Sequence, residues 1–294
     1  MAESEKVHLN ALALGLVLTA AVLHATWNLL AKRASGGAPF IWLYFAISTV
    51  LYAPIAIAVW ILWPRTFTFI DIVFIVGNGV LHTIYFITLQ RGYRAGDLSV
   101  VYPLARGTGP LLASTAAILF FGEHPTPLAT AGIIIIVAGV FLASGFHRMR
   151  DATVRTSVFY GIATGASIAI YTLWDKHAMT ALALSPILYD WGGNVARLIL
   201  MTPVAVRRWG EVRAAYRDYR FEAVGIAFLS PLAYLLVLWA LTWTPVTYVA
   251  PARESSIMFG TLYGIFFFKE RERTHQRLIA AGLMLIGIVA LAHG

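Results

Sequence analysis

The sequence predicts an all-α membrane protein: ten transmembrane helices, built as two inverted five-helix repeats. Three observations carry that prediction. The composition is strongly apolar, the apolar residues gather into span-length runs, and the second half of the chain repeats the first. Of 294 residues, 59% are hydrophobic and 12% are charged, about half the charged share of a soluble domain. Mean hydropathy is +0.75. Such a composition excludes a disordered chain, a disulfide-rich secreted domain and an ordinary soluble enzyme. The chain has no cysteine, which excludes disulfides, Cys-ligated zinc, Fe–S clusters and thiol catalysis.

A helix that crosses the hydrocarbon core needs roughly 20 mostly apolar residues. In the first half such segments run Leu9–Ala31, Phe40–Trp63, Ile72–Gln90, Leu98–Phe121 and Leu128–Phe146. In the second half they run Ser157–Trp174, Ile187–Val206, Phe221–Trp243, Val246–Phe268 and Leu278–His293. A short polar tail, 1–8, precedes them and does not read as a cleavable signal. Breakers mark the turns: Gly36-Gly37-Ala38-Pro39, Gly122-Glu123-His124-Pro125 and Ser185-Pro186. The longest connection is about Arg207–Arg220, too short for a soluble domain. The chain thus divides into a first repeat, 9–146, a linker, 147–156, and a second repeat, 157–294.

A shift of 147 positions lays Trp27-Asn28 on Trp174-Asp175, Pro39 on Pro186 and Ala105-Arg106 on Ala252-Arg253. It also lays Phe120-Phe121-Gly122-Glu123 on Phe267-Phe268-Lys269-Glu270. Each repeat holds five spans, an odd number, so the two must face opposite ways in the membrane, as in many inverted-repeat carriers. Loop charge agrees. The connections after spans 1, 3, 5, 7 and 9 hold sixteen basic residues, from Lys32 and Arg33 to Arg273 and Arg277; the other side holds Lys6, Arg65 and Lys176. The positive-inside rule puts the sixteen in the cytoplasm and both termini outside.

The net charge of +8 therefore speaks of topology, and no nucleic-acid partner is expected. No GxxxxGK[ST] loop occurs, so ATP is not the expected energy source. No metal site, cofactor or Gly-x-Ser-x-Gly elbow is suggested, and the chain does not read as an enzyme.

Ionisable groups inside spans are costly and default to function. Span 1 carries His24 and Asn28 one turn apart, with Trp27 beside them. Span 3 carries Asn78, His82 and Tyr85 at i, i+4, i+7. Span 4 carries Tyr102 one turn before Arg106, and span 6 carries Ser167, Tyr171, Trp174 and Asp175. Span 7 presents Asp190, Asn194 and Arg197 on one face, so Arg197 reads as a structural partner of Asp190. Span 8 pairs Ser230 with Tyr234, and span 9 carries Arg253-Glu254. Arg106 and Arg253 are repeat equivalents, and each follows a proline, Pro103 or Pro251, that interrupts backbone bonding. Each either binds a ligand or caps the freed carbonyls. Neighbours in a helix point about 100° apart, so Arg253 and Glu254 do not pair automatically. Trp42, Trp60, Trp63, Tyr216 and Trp243 read as the interfacial belt; Gly132, Gly139 and Gly287 read as packing positions.

In these motifs the sequence resembles the drug/metabolite transporter superfamily, of the EamA type. The resemblance rests on His24-Ala25-Thr26-Trp27-Asn28 with Ala31-Lys32, on Pro103-Leu104-Ala105-Arg106 and on Phe121-Gly122-Glu123. Their second-half counterparts are Trp174-Asp175, Pro251-Ala252-Arg253 and Lys269-Glu270. It covers the chain from about Leu9 to Gly294. It implies a multi-pass carrier of a bacterial-type inner membrane, as a monomer or homodimer. Its central cavity would lie among spans 1, 3, 4, 6, 8 and 9. It also implies alternating access for small organic solutes such as amino acids, commonly in export. Many relatives are expected with cytoplasmic termini, where the loop charges here place them outside.

The expected binding residues are His24, Trp27, Asn28, Asn78, His82, Tyr85, Tyr102, Arg106, Tyr171, Trp174, Tyr234 and Arg253. Arg106 would take a carboxylate, because guanidinium offers a planar fork of donors. His24, Asp175 and Glu254 are candidates for proton coupling or for holding a substrate amine, and Asp190 and Arg197 for ion pairing. The alternative from another class is an intramembrane enzyme acting on a lipid-like substrate; the inverted repeat argues against it.

Overall fold

The computed structural model describes residues 11–34, 37–95, 98–143, 154–268 and 274–294. Among them every regular element is a helix: α1 (Ala11–Arg33), α2 (Gly37–Leu62), α3 (Phe69–Ala95), α4 (Leu98–Phe121) and α5 (Pro127–Ala143) in the first half. The second half holds α6 (Val154–Thr180), α7 (Pro186–Arg207), α8 (Trp209–Trp243), α9 (Val246–Arg253), α10 (Ser255–Phe268) and α11 (Thr274–His293). Seven of these are long and apolar enough to cross a membrane: α1, α2, α3, α4, α6, α8 and α11. α5 is apolar and shorter.

The turns follow local chemistry. α4 stops at Gly122, whose φ of +65° belongs to the left-handed region that glycine enters freely. α5 begins with Pro127 after Thr126, whose hydroxyl accepts the Ala129 N–H at 3.1 Å, the arrangement a helix start favours. At the head of α3, Asp71 accepts the Thr68 N–H and Thr68 accepts the Asp71 N–H. This capping box satisfies two donors that have no partner within the helix.

Three expectations change. The connection Arg207–Arg220 is helical rather than a loop: α8 begins at Trp209 and turns at Tyr219 (φ −132°, ψ 28°) before entering the apolar run. Val212 and Ala215 of this first part pack against Phe40 and Leu43 of α2, which is what orders it. The ninth span is broken for one residue at Glu254, between α9 and α10. α6 continues past Trp174 to Thr180, so Asp175 lies inside the helix instead of closing it. Phe267-Phe268-Lys269-Glu270, Lys6 and several loop arginines lie, in whole or in part, outside the residues whose side chains are described.

The main helix pairings recur when the halves are exchanged, although the α6–α8 and α7–α8 contacts have no comparable α1–α3 or α2–α3 counterparts. α1 lies on α8 as α6 lies on α3; α4 lies on α6 as α9 and α10 lie on α1; α2 lies on α8 as α7 lies on α3. The pairs α2–α7, α4–α9 and α5–α11 join the halves directly. At the α5–α11 crossing a Cβ on Gly132 would come within 2.7 Å of the Gly287 carbonyl oxygen, and one on Gly287 within 2.8 Å of the Gly132 oxygen. Only glycine lets the two backbones approach this closely.

Candidate functional site

A cavity of about 470 Å³ lies between the halves. Its walls come from α1, α3, α4, α6, α8 and α9, and also from α2 and α7, which the sequence reading left out. It runs to Lys32, Ala34 and Gly37 at the α1–α2 turn and to Gln90 and Tyr93 near the end of α3. That is the face carrying the basic connections.

Most expected residues meet there. α1 contributes His24, Trp27 and Asn28; α3 contributes His82 and Tyr85. Tyr102 and Arg106 come from α4, Tyr171 from α6, Tyr234 from α8 and Arg253 from α9. Asp190 and Arg197 of α7 close one side. The lining is aromatic and tightly interlocked. His82 stacks on Tyr171 at 4.3 Å between ring centres and meets the Tyr234 edge at 5.2 Å. Tyr85 meets Tyr171 edge-on at 5.7 Å, and His24 lies edge-on to Trp27 at 4.8 Å. The Trp27 Nε1–H is buried with no acceptor among the described residues, so it can donate to a guest.

Asn78, Trp174, Asp175 and Glu254 are expected residues that do not line this cavity. Trp174 is stacked on Phe74 at 4.0 Å and donates its Nε1–H to the Phe74 carbonyl at 2.9 Å. It joins α6 to α3 rather than facing the interior. Asn78 and Asp175 form a buried knot behind Tyr234. Sequence reasoning passed over Phe40, Tyr44 and Ser48 of α2, because Phe, Tyr and Ser in a uniformly apolar span give no periodic signal.

The charges sort into pairs and remainders. Arg197 lies 3.2 Å from Asp190, bonds the Gly193 carbonyl and covers the Phe45 ring at 5.2 Å, as the shared helix face suggested. Arg106 lies 2.8 Å from Glu254, both nearly buried. Its Nε–H does not point along the line to the carboxylate, so the contact is charge attraction more than a directed hydrogen bond. A second nitrogen donates to Ser256 Oγ at 3.0 Å. Glu254 stands at the break between α9 and α10, and its carboxylate reaches α4. Arg253 forms no ion pair among the described residues; its guanidinium lies 5.9 Å over the Tyr171 ring.

Arg106, read as the anion ligand, already has a counterion, and Arg253 carries the uncompensated charge. The repeat explains why. Shifted by 147, Glu254 falls on Gly107, so two equivalent arginines share one carboxylate. That mismatch was present in the sequence as a signal that the two arginines differ in charge compensation.

Asp175 is the converse, a buried carboxylate with no cation bonded to it among the described residues. It accepts from Tyr234 Oη at 2.6 Å, Tyr189 Oη at 2.8 Å and Asn78 Nδ2 at 3.2 Å. Asn78 also donates to Tyr234 Oη at 2.7 Å. Neutral donors lower the cost of burying the charge without cancelling it.

The opposite face is closed by first-half side chains gripping second-half helix ends. Arg65 donates to the Leu182 and Ala183 carbonyls past α6, both at 2.8 Å, and pairs with Asp71 at 3.1 Å. Glu123 accepts the first two N–H groups of α9, from Val246 at 2.7 Å and Thr247 at 2.8 Å. A carboxylate at a helix N-terminus meets both free donors and the positive dipole end. Lys176 completes the corner by donating to the Leu241 and Thr244 carbonyls.

The model of the EamA-like transporter family matches residues 11–145 and 155–292. A solved crystal structure of another protein superposes with a TM-score of 0.71 at 16% identity, over 95% of each chain. At that identity the likeness is one of fold. No curated protein matches the chain.

Proposed function

The chain belongs to the EamA-like transporter family, of the drug/metabolite transporter type, and from that premise we propose that it is a secondary carrier of small organic anions. Seven helices suited to crossing a membrane support a multi-pass protein. In this reading α5, α7 and the α9–α10 pair add three crossings, giving ten in two inverted halves, 9–146 and 157–294. The basic face is cytoplasmic in a bacterial-type inner membrane, and the state described is open to that side. Transport proceeds by rocking of the halves about the cavity. Breaking the Arg65 and Glu123 contacts opens the far face.

The observation that carries the substrate class is Arg253: a guanidinium with no ion pair among the described residues, beside the aromatic cluster of the cavity wall. Such a site favours a carboxylate on an aromatic or apolar body. Guanidinium binds the carboxylate as a planar fork, His24, Tyr85, Tyr102 and Tyr171 hold the body, and the Trp27 indole N–H supplies one further donor.

The test uses an aromatic monocarboxylate, phenylacetate, with the purified protein in liposomes. Arg253→Ala is expected to weaken binding by about 10–100-fold, the loss of one charged hydrogen-bonding contact. Arg253→Lys should keep part of it. Phenylacetate binding to Arg253→Ala with unchanged affinity would remove Arg253 from the site. Failure of wild-type protein to bind any organic anion in a metabolite screen would overturn the substrate class.

A further inference from the structure

We infer that Asp175 is a proton-binding site connected to the cavity through Tyr234, and that one proton binds together with the anion held by Arg253. The inference rests on the carrier reading above and adds its driving ion.

The charge pattern comes first. Six arginine and carboxylate side chains lie on the central parts of the spans among the described residues. Arg106 with Glu254 and Arg197 with Asp190 make two pairs. Arg253 and Asp175 remain, opposite in charge and not bonded to each other. A buried carboxylate held only by hydroxyl and amide donors is one that a proton can neutralise without breaking an ion pair. Its repeat equivalent, Asn28, cannot take up that role, because a carboxamide does not titrate; its amide donates to the His24 carbonyl of its own helix at 2.8 Å. The proton site therefore exists once, in the second half.

The route comes second. Of the three groups that donate to Asp175, only Tyr234 also lines the cavity. Its hydroxyl stands between the cavity and Asp175 Oδ2 at 2.6 Å. The transfer balances simply. Tyr234 Oη passes its proton to Asp175 Oδ2 and accepts one from a hydronium in the cavity, which is left as water, so the phenol is regenerated neutral and the carboxylate becomes a carboxylic acid.

The third observation is an orphan. Asn78 Oδ1 is buried without a hydrogen-bond partner, while the same amide's Nδ2 faces Asp175. Once Oδ2 is protonated and donates back to Tyr234 Oη, turning that amide over offers the phenol O–H an acceptor. The knot thus has one arrangement for each protonation state.

The groups around Asp175 leave the coupling to Arg253. On α3 are Asn78 and His82, which is stacked on Tyr171. On α7 are Tyr189 and the paired Asp190 and Arg197. On α4 is Arg106, paired with Glu254 beside Arg253. On α6 itself, Lys176 is turned to the Leu241 and Thr244 carbonyls and His177 is stacked on Phe74. While Asp175 is charged, its field opposes an anion at Arg253; once it is protonated, that opposition is gone. By linkage each ligand strengthens the other.

The first test needs no substrate. Infrared difference spectra between acid and neutral pH, taken on the full chain in liposomes, should show a protonated-carboxyl band that is lost in Asp175→Asn. A Tyr234→Phe variant, which keeps the ring packing, should shift that band and its midpoint. A band unchanged in both variants overturns the inference, whatever the carrier reading's fate. The second test is phenylacetate binding. Wild-type affinity should rise by up to about tenfold per pH unit of acidification across the Asp175 titration, and Asp175→Asn should bind with little pH dependence. Asp175→Asn should also retain phenylacetate counterflow and lose accumulation driven by a pH gradient. Gradient-driven accumulation surviving in Asp175→Asn overturns the inference while leaving Arg253 in place. Should Asp175→Asn fail to fold, Tyr234→Phe carries both measurements.

Discussion

Position 254 decides what two equivalent arginines do. With a glutamate there and a glycine at 107, Arg106 gains an ion-pair partner and Arg253 has none among the described residues; in the proposed function that leaves Arg253 for a guest. Removing one member of a buried pair strands the other, at a cost of about 3–5 kcal/mol, whereas replacing both with apolar residues is often neutral. Glu254→Gln is therefore expected to lower the unfolding midpoint in detergent substantially. The double variant Arg106→Met with Glu254→Met should recover most of it. Equal midpoints for Glu254→Gln and wild type would show that the pair adds no stability. At this scale the sequence was legible in part. It placed Arg197 with Asp190 because both are on one helix, where spacing alone reports the face. It did not place Glu254 with Arg106, because that pair joins two helices and depends on a one-residue break. Trp174 shows the same limit: it shares a helical face with cavity residues, and its orientation is decided by Phe74 on another helix.

Element boundaries were easiest to read where a residue type has one backbone meaning, as at Gly122 and at Ser185-Pro186. The first part of α8 was missed because a search for apolar runs cannot see an amphipathic helix. The pattern is nevertheless there, with Val212, Ala215, Tyr219, Ala223 and Ile226 at helical spacing against α2. Two predictions belong to helices. Gly287→Val puts side-chain atoms where the Gly132 carbonyl lies, so α5 and α11 must separate; a loss of at least about 1–3 kcal/mol is expected, read as a lower thermal midpoint. Glu123→Ala removes the cap from α9. A cap contributes about 1 kcal/mol, roughly a fivefold change in a two-state population, so the closed face should open more often. An added cysteine at Ser230, inside the cavity, should then react faster with an impermeant thiol reagent applied from that face. An unchanged rate would mean that Glu123 does not hold this face shut.

At the scale of the whole chain, the 147-residue offset foretold more than any motif. It anticipated a packing scheme whose main helix pairings survive exchange of the halves, because helix pairing follows from which repeat faces which. Orientation in the membrane is open to a direct check, since the chain has no thiol of its own. A single cysteine at Arg213 is expected to react only from the cytoplasm; labelling from outside intact cells would reverse the topology. The interior balance of three arginines against three carboxylates also has an electrical meaning. Moving one elementary charge through 100 mV involves about 2.3 kcal/mol, so a carrier whose core bears net charge has its cycle biased by the membrane potential. Here the empty core is neutral, and a core holding one proton and one monovalent anion is neutral again. Both journeys across the membrane are then indifferent to voltage, and the pH gradient together with the anion's own concentration gradient sets the direction of net flow, inward at equal anion concentrations where the outside is acidic. This differs from the export that the family resemblance implied. Phenylacetate uptake should not respond to a potassium diffusion potential imposed with valinomycin. A zwitterion carried with the same proton would move one positive charge and accelerate at negative-inside potential, so the valence of the natural substrate can be weighed electrically before its structure is known.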